Sequence, residues 1–149
     1  MTVRYVHTNL VARDWRALAE FYVRVLGCTR IEPERDLSGD WLERGTRVPG
    51  AHLRGQHLRL PGHGEGGPTL EIFQYGELVA QPFPVANRLG FGHIAFSVDD
   101  VRATLAEVLA AGGTLHGEVV TQLIEGVGEL TFTYARDPEG NLIELQAWR

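Results

Sequence analysis

The chain is poor in sulfur, since its 149 residues include one cysteine, Cys28, and one methionine, Met1. A single cysteine cannot form an internal disulfide, and we expect Cys28 to be a small buried apolar residue rather than a nucleophile. Long apolar runs are also missing, and no segment approaches the roughly 20 residues that cross a membrane. No charged-then-apolar leader follows Met1. These absences predict a cytoplasmic protein that does not bind a membrane.

Positive charge is scarce and scattered. The chain has 14 lysine and arginine residues against 19 aspartate and glutamate residues, for a formal net charge of -5. Because the basic residues do not cluster, the sequence argues against a nucleic-acid partner. The length fits one domain or two small fused halves, and the hydrophobic fraction of 44% is enough for a globular core.

A long internal repeat of a histidine followed by a glutamate is the main positive feature. His7 opens a strand-like segment near the start, and Glu71 lies in a later strand-like segment. His93 and Glu144 occupy the matching places in the second half. A repeat of this length, with its landmark residues on matching strands, is typical of two related modules. Two such pairs supply four ligands, which is enough to hold one divalent metal ion.

Residue periodicity divides the first half into a strand, a helix and three further strands. The helix covers residues 14–26, because apolar residues recur every three or four positions from Trp15 to Val25. Asp14 is a suitable N-cap and Gly27 a suitable end. The predicted strands cover residues 4–10, 28–32, 51–60 and 69–75, and the predicted loops are Pro33–Gly50 and Pro61–Pro68.

The same order of elements restarts after a linker at residues 76–90, which contains glycine and proline without a sustained period. A helix is predicted at 100–111, capped by Asp99 or Asp100 and ended by the glycines that follow it. The predicted strands of this half cover residues 91–98, 114–122, 128–136 and 140–147. Each half is therefore β-α-β-β-β. The predicted class is α+β, with two tandem βαβββ modules that form a curved mixed sheet with helices outside.

Strand alternation indicates where the repeated residues point, because successive side chains lie on opposite faces of a strand. Four residues each fall on the face opposite the aliphatic residues of their own strand: His7, Glu71, His93 and Glu144. We expect the aliphatic faces to pack under the helices, so the opposite faces can form one cleft that holds all four. Asn9 and Phe73 share these faces and are predicted to line the cleft and contact substrate.

The chemistry of two imidazoles and two carboxylates suits one divalent ion, namely nickel, cobalt, zinc, manganese or iron. Four protein ligands in an octahedral shell leave two positions for water or for a substrate with vicinal oxygens. Binding of those oxygens makes an adjacent C–H bond more acidic. A carboxylate close to the ion can then act as general base. We predict that Glu144, with Glu71 as its partner, carries this proton.

Three segments of the chain resemble the vicinal oxygen chelate superfamily, and the resemblance covers nearly the whole sequence. This group includes glyoxalase I, methylmalonyl-CoA epimerase, extradiol dioxygenases, fosfomycin-resistance enzymes and bleomycin-binding proteins. The resemblance implies a single domain over 1–149, with module 1 at about 3–76, a linker at about 77–90 and module 2 at about 91–148. The segments are His7-Thr8-Asn9-Leu10 with Phe21-Tyr22 and Val25-Leu26-Gly27; Gly92-His93-Ile94-Ala95-Phe96 with Val98-Asp99-Asp100-Val101; and Asp137-Pro138-Glu139-Gly140-Asn141-Leu142-Ile143-Glu144-Leu145.

The resemblance also implies metal ligands at four positions, and the ligand set distinguishes between members of the superfamily. The set His7, Glu71, His93 and Glu144 is similar to that of bacterial glyoxalase I, whereas methylmalonyl-CoA epimerase usually has Gln at the position of Glu71. Extradiol dioxygenases use two His and one Glu, because catecholate and O₂ need three open metal sites. A fourth ligand at Glu71 argues against that chemistry, and bleomycin-type binders generally lack the ligands.

The favoured function is therefore a metal-dependent lyase or isomerase. It would transfer a proton at a carbon next to a carbonyl through an enediolate held by the metal. The alternative is a non-catalytic small-molecule binding or resistance protein, and an extradiol-type dioxygenase is less favoured. We also predict a homodimer, in which the linker lets the modules pair within one chain or exchange between two.

Two other features are predicted to lie outside this chemistry. His52 and His57 are five residues apart and fall on opposite faces of one predicted strand, so a second metal site is not expected there. The charged stretch Pro33–Gly50 is predicted to be a solvated loop, which would also be free to close over the site.

Overall fold

The computed structural model describes all 149 residues, and the chain divides into two compact units, Met1–Ala80 and Gln81–Arg149. Each unit contains one mixed sheet and the predicted β-α-β-β-β order, with short additional elements. The α+β class and the repeated βαβββ architecture are therefore confirmed. The protein has no helix long and apolar enough to span a membrane.

The first unit has a four-stranded sheet in the order β1-β4-β3-β2. Strand β1 runs parallel to β4, and the other neighbours are antiparallel. The elements of this unit are β1 (His7–Val11), α1 (Trp15–Leu26), β2 (Thr29–Ser38), α2 (Asp40–Thr46), β3 (His52–Arg59) and β4 (Thr69–Tyr75).

Helix α1 begins and ends where the sequence predicts. The Asp14 side chain accepts a hydrogen bond from the backbone N–H of Ala17 at 3.0 Å, which satisfies one of the free donors of the first turn. Gly27 ends the helix in the left-handed conformation, with φ at 70°, which glycine adopts without steric cost. The helix buries Leu18 and Tyr22 completely and lies against β3 and β4.

The prediction of a loop over Pro33–Gly50 is wrong. Strand β2 continues to Ser38, and helix α2 follows it immediately. The charged residues of this stretch are compatible with a strand because β2 is the edge of the sheet, where charge is normal. A register shift between Ile31 and Arg35 accommodates the intervening proline.

Helix α2 belongs to the core of the first unit. Its buried residue Leu42 packs with Ala51, Leu53 and Phe73. Because Leu42 is the only buried residue of this short helix, the surrounding sequence shows no apolar period, and the helix depends on this tertiary contact.

The second unit repeats the plan with a five-stranded sheet. Strands run in the order β5-β9-β8-β6, and β7 also pairs with β8; β5 is parallel to β9 and the other pairs are antiparallel. The elements are β5 (Ile94–Ser97), α3 (Val101–Ala110), β6 (Thr114–Leu115), β7 (Val120–Ile124), β8 (Gly128–Arg136) and β9 (Leu142–Trp148).

One predicted strand of the second unit is divided in two. The segment predicted at 114–122 forms β6 and β7, which pair with different parts of β8. Between them, the backbone N–H groups of His116 and Gly117 both bond the carbonyl of Tyr134, at 3.1 and 3.0 Å. Two residues facing one partner residue interrupt the regular ladder and end the first pairing.

Helix α3 begins after Asp100, whose side chain accepts hydrogen bonds from the backbone N–H groups of Arg102 and Ala103. Of the two predicted caps, Asp100 is therefore the correct one. The helix buries Val101 and Val108 and lies against β8 and β9. This packing covers one face of the sheet and leaves the other face for the residues described below.

Candidate metal centre

The first unit brings His7 and Glu71 together on neighbouring strands. Strands β1 and β4 are parallel, and Asn9 lies directly opposite Glu71. His7 is two residues before Asn9, so its side chain lies on the same face of the sheet. His7 Nε2 lies 3.6 Å from Glu71 Oε1. Glu71 is buried among otherwise apolar residues of β4, whereas His7 is exposed.

His57 is a third member of this cluster, and the sequence reasoning missed it. It lies directly opposite Glu71 on the antiparallel strand β3. Its Nε2 is 2.8 Å from Glu71 Oε2, and its ring contacts His7 edge-on with centroids 5.5 Å apart. Ligand atoms of His7, His57 and Glu71 all lie within 4.8 Å of one another, so by distance alone any of the three could contact the same metal ion.

The sequence contained a signal for His57 in the predicted loop Pro61–Pro68. Strands β3 and β4 form a hairpin around that loop, and the two residues of each cross-strand pair are equally far from Gly64 in sequence. A hairpin centred there places His57 opposite Glu71, on the same face of the sheet. His52 does face the other way, with Nε2 at 2.6 Å from Asp36 Oδ1.

The two residues predicted to contact substrate have different surroundings. Asn9 donates a hydrogen bond from Nδ2 to Glu71 Oε1 at 2.8 Å, so it lies at the cluster. Phe73 is buried in the apolar group around Leu42 and Leu53, and its ring centroid is 6.2 Å from that of His57. Phe73 therefore supports the cluster from the side covered by α2, and its contact with a substrate stays a prediction.

The second unit contains the matching pair. His93 comes immediately before β5, which is parallel to β9, and its Nε2 lies 2.9 Å from Glu144 Oε2. The residue opposite Glu144 on β8 is Tyr134, whose ring centroid is 4.9 Å from that of His93. The predicted His–Glu pairing thus occurs in each unit, on equivalent strands.

Burial shifts the ionisation of three rings beside these pairs. It lowers the pKa of His57 below its usual value; Glu71 opposes this, while the Arg35 guanidinium and His7 add to it. Burial, helped by the nearby Glu71 charge, raises the pKa of Tyr75. Burial, helped by the nearby Glu144 charge, also raises the pKa of Tyr134. In the absence of a metal, His57 is therefore mainly neutral at pH 7.

The donors in each unit suit a divalent metal ion. Two donors that each lie about 2.1 Å from one ion are roughly 3 to 4 Å apart. The spacings of 3.6 Å for His7 with Glu71 and 2.9 Å for His93 with Glu144 are close to this range. Imidazole nitrogen and carboxylate oxygen together favour zinc, nickel, cobalt, manganese or iron(II).

The sequence matches the Glyoxalase/Bleomycin resistance protein/Dioxygenase superfamily over residues 4–145. The chain belongs to this superfamily, and the resemblance carried by its three segments is confirmed.

Three relatives show how far the similarity extends. A probable lactoylglutathione lyase from Vibrio parahaemolyticus is 42% identical over 147 residues, covering 95% of this chain and 88% of the relative. A glyoxalase family protein from Bacillus cereus has a TM-score of 0.84 at 22% identity, covering 99% of this chain and 95% of its own. The fosfomycin resistance protein FosX from Listeria monocytogenes, solved with Mn(II) and sulfate, has a TM-score of 0.56 at 16% identity and covers 100% and 95%. The two structures show a shared fold.

Proposed function

We propose that the protein is a divalent-metal-dependent lyase or isomerase that transfers a proton at a carbon next to a carbonyl. One ion would be held by His7, Glu71, His93 and Glu144. The observation that carries this proposal is the His–Glu pair in each unit, with the same donor types on equivalent parallel strands. A pure binding protein has no need for two such matched donor pairs.

The lyase class is supported by the relative from Vibrio parahaemolyticus, which is named a probable lactoylglutathione lyase. Because 95% of this chain aligns with it at 42% identity, a related reaction class is the simplest inference. The substrate would be a small molecule with vicinal oxygens. We further propose that the protein acts as a homodimer in the cytoplasm.

The chain's own residues would divide the work of proton transfer. A bound divalent ion would supply a positive charge that makes the substrate C–H bond more acidic. Glu144 would take the proton from carbon, and Glu71 would serve as its partner carboxylate.

The proposal is tested by metal analysis together with proton exchange. Purified protein should contain about one divalent ion per four-ligand site, and His93→Ala should lose most of it. His52→Ala is the matched control, because His52 is bonded to Asp36 on the opposite face of β3. With lactoylglutathione as the probe in D₂O, NMR should show deuterium entering the carbon next to the thioester carbonyl.

Glu144→Gln tests the assigned base, since the amide keeps the shape of the carboxylate but cannot accept a proton at neutral pH. Because Glu144 is also a proposed ligand, the exchange rates of the variant and the wild type are compared at equal metal content. We expect this variant to lose at least 100-fold in exchange rate, a typical contribution of general base catalysis. Full exchange activity in Glu144→Gln would contradict the assigned role. If the purified protein contains almost no metal, and His93→Ala does not change that metal content, the result would instead indicate a binding protein without turnover.

A further inference from the structure

The carboxylate of Glu71 is held from two sides in the first unit. Asn9 Nδ2 donates to Oε1 at 2.8 Å, and His57 Nε2 lies 2.8 Å from Oε2. His7 is near Oε1, at 3.6 Å. Oε1 is therefore the oxygen that points towards the other candidate ligand of this unit, while Oε2 is occupied by His57.

His57 is itself held in place. Its Nδ1 lies 2.9 Å from the hydroxyl of Thr69, which is on β4 two residues before Glu71 and on the same face. The ring also contacts His7 and Phe73 edge-on. With its side chain only 19% exposed, His57 has little freedom to turn away from Glu71.

These contacts select one tautomer of the neutral ring. A carboxylate is an acceptor only, so the Nε2 facing Glu71 must carry the hydrogen. Nδ1 then has a lone pair, and the Thr69 hydroxyl rotates to donate to it. The result is a chain of hydrogen bonds from Thr69 to His57 to Glu71. A ring with its hydrogen on Nδ1 would place a lone pair against the carboxylate.

The glutamate of the second unit lacks this support. The residue opposite Glu144 is Tyr134, where Glu71 has His57. The Glu144 side chain contacts His93 through Oε2. The two repeated glutamates therefore differ. Both oxygens of Glu71 contact neighbouring side chains, whereas Glu144 contacts a neighbouring side chain through Oε2 alone.

We propose that His57 is a positioning residue that holds Glu71 as a fixed, one-oxygen metal ligand, and that His57 is not itself a ligand. This inference rests on the proposed metal-dependent function. Partners that hydrogen-bond a metal ligand typically change metal affinity by about 10- to 100-fold when removed. The clamp on Glu71 also leaves Glu144 as the less restrained carboxylate of the two, because both oxygens of Glu71 are in contact with Asn9 and His57.

The test is Co(II) binding by full-length protein after removal of metal with a chelator. We expect His57→Ala to weaken binding by about 10- to 100-fold. His57→Gln should stay within a few-fold of the wild type, because its amide nitrogen is as many bonds from Cα as the imidazole Nε2 and can donate to Glu71. His52→Ala, on the same strand but facing away, should bind Co(II) as the wild type does.

The visible spectrum of bound Co(II) distinguishes a positioning residue from a ligand. If His57 only donates to Glu71, the donor set is unchanged and the absorption bands of His57→Gln should match those of the wild type. A changed spectrum together with affinity as weak as that of His57→Ala would make His57 a ligand and overturn the proposal. Unchanged affinity in a folded His57→Ala protein, checked by circular dichroism, would also overturn it.

Two further measurements separate this inference from the proposed function. If His93→Ala leaves Co(II) affinity intact while His57→Ala lowers it, the four-ligand function fails and the positioning role stands. In metal-free protein, long-range ¹H–¹⁵N NMR should show hydrogen on Nε2 of His57 and a lone pair on Nδ1. Hydrogen on Nδ1 would contradict the positioning role whether or not the protein binds metal.

Discussion

The ring of Phe73 lies directly over Gly55, its cross-strand partner on β3. A Cβ added at Gly55 would lie 2.5 Å from Phe73 Cδ1 and 2.0 Å from the carbonyl oxygen of Ile72. Neither distance is possible without movement of the strand or the ring. Gly55 is two residues from His57, and Phe73 is two residues from Glu71, so the glycine lets β3 and β4 approach beside the candidate metal ligands.

We therefore expect Gly55→Ala to destabilise the protein by about 1–3 kcal/mol, the usual cost of adding a group to a well-packed site. Urea unfolding followed by circular dichroism measures this difference in the free energy of unfolding. Gly64→Ala is the matched control, because a Cβ there would meet no atom within 4 Å. Equal stability of the two variants would show that β3 and β4 do not approach as described.

The packing of α2 predicts a large cost for truncating Leu42, which is 7% exposed. Leu42→Ala should lower the free energy of unfolding by about 2–5 kcal/mol, since it removes buried methyl groups and leaves a cavity against Phe73. Leu89→Ala makes the same change at a residue that is 98% exposed and should cost less than about 0.5 kcal/mol. If Leu42→Ala changes the free energy of unfolding only slightly, Leu42 is not buried, and this segment is the solvated loop that the sequence predicts.

Cys28 should be unreactive in the folded protein. It is 4% exposed, and burial raises the pKa of its thiol to about 12. Because the thiolate is the reactive form, roughly a thousandfold less of it is present at pH 8 than for a thiol of pKa 9.0. Reaction with Ellman's reagent should therefore be slow in buffer and rapid in concentrated guanidinium, where the protein unfolds and the thiol is exposed. Rapid reaction under native conditions would contradict the buried, non-nucleophilic assignment.

The charges around His57 predict how its ring titrates in metal-free protein. Burial lowers its pKa below the ordinary value of 6.5, and Arg35 adds to this because a nearby cation opposes protonation. Arg35→Ala should therefore raise the NMR titration midpoint of His57, and Glu71→Gln should lower it. Arg54→Ala is the control, because Arg54 lies on the other face of β3 and pairs with Asp36. A wild-type midpoint above 6.5 would mean that the attraction of Glu71 outweighs burial.

The same shift has a consequence for stability. The folded protein binds the His57 proton less tightly than the unfolded chain does, so the unfolded chain takes up more protons as the pH falls below 6.5. The contribution of His57 to stability is present above that pH and is lost as the pH falls through its folded pKa. His57→Gln should therefore reduce the slope of stability against pH in this range.

Local sequence determined the repeated order of elements. Helix α1 could be predicted from its apolar period and its caps, because both depend on residues within about four positions of each other. The orientation of His7, Glu71 and Glu144 away from the aliphatic face followed in the same way, since side-chain alternation is a property of a single strand. The His–Glu pair in each unit could thus be named from sequence.

Tertiary structure decided the neighbours of those pairs. His57 lies at Glu71, and α2 covers Phe73, because of strand register and a contact between residues far apart in sequence. A charged edge strand and a seven-residue helix with one buried leucine carry little local signal, so a loop was the natural prediction for Pro33–Gly50. The sequence by itself therefore determined which donors each module carries, since that requires only the period of a strand. Only cross-strand pairing decided which side chains hold those donors in place, because hydrogen-bond register depends on both strands at once.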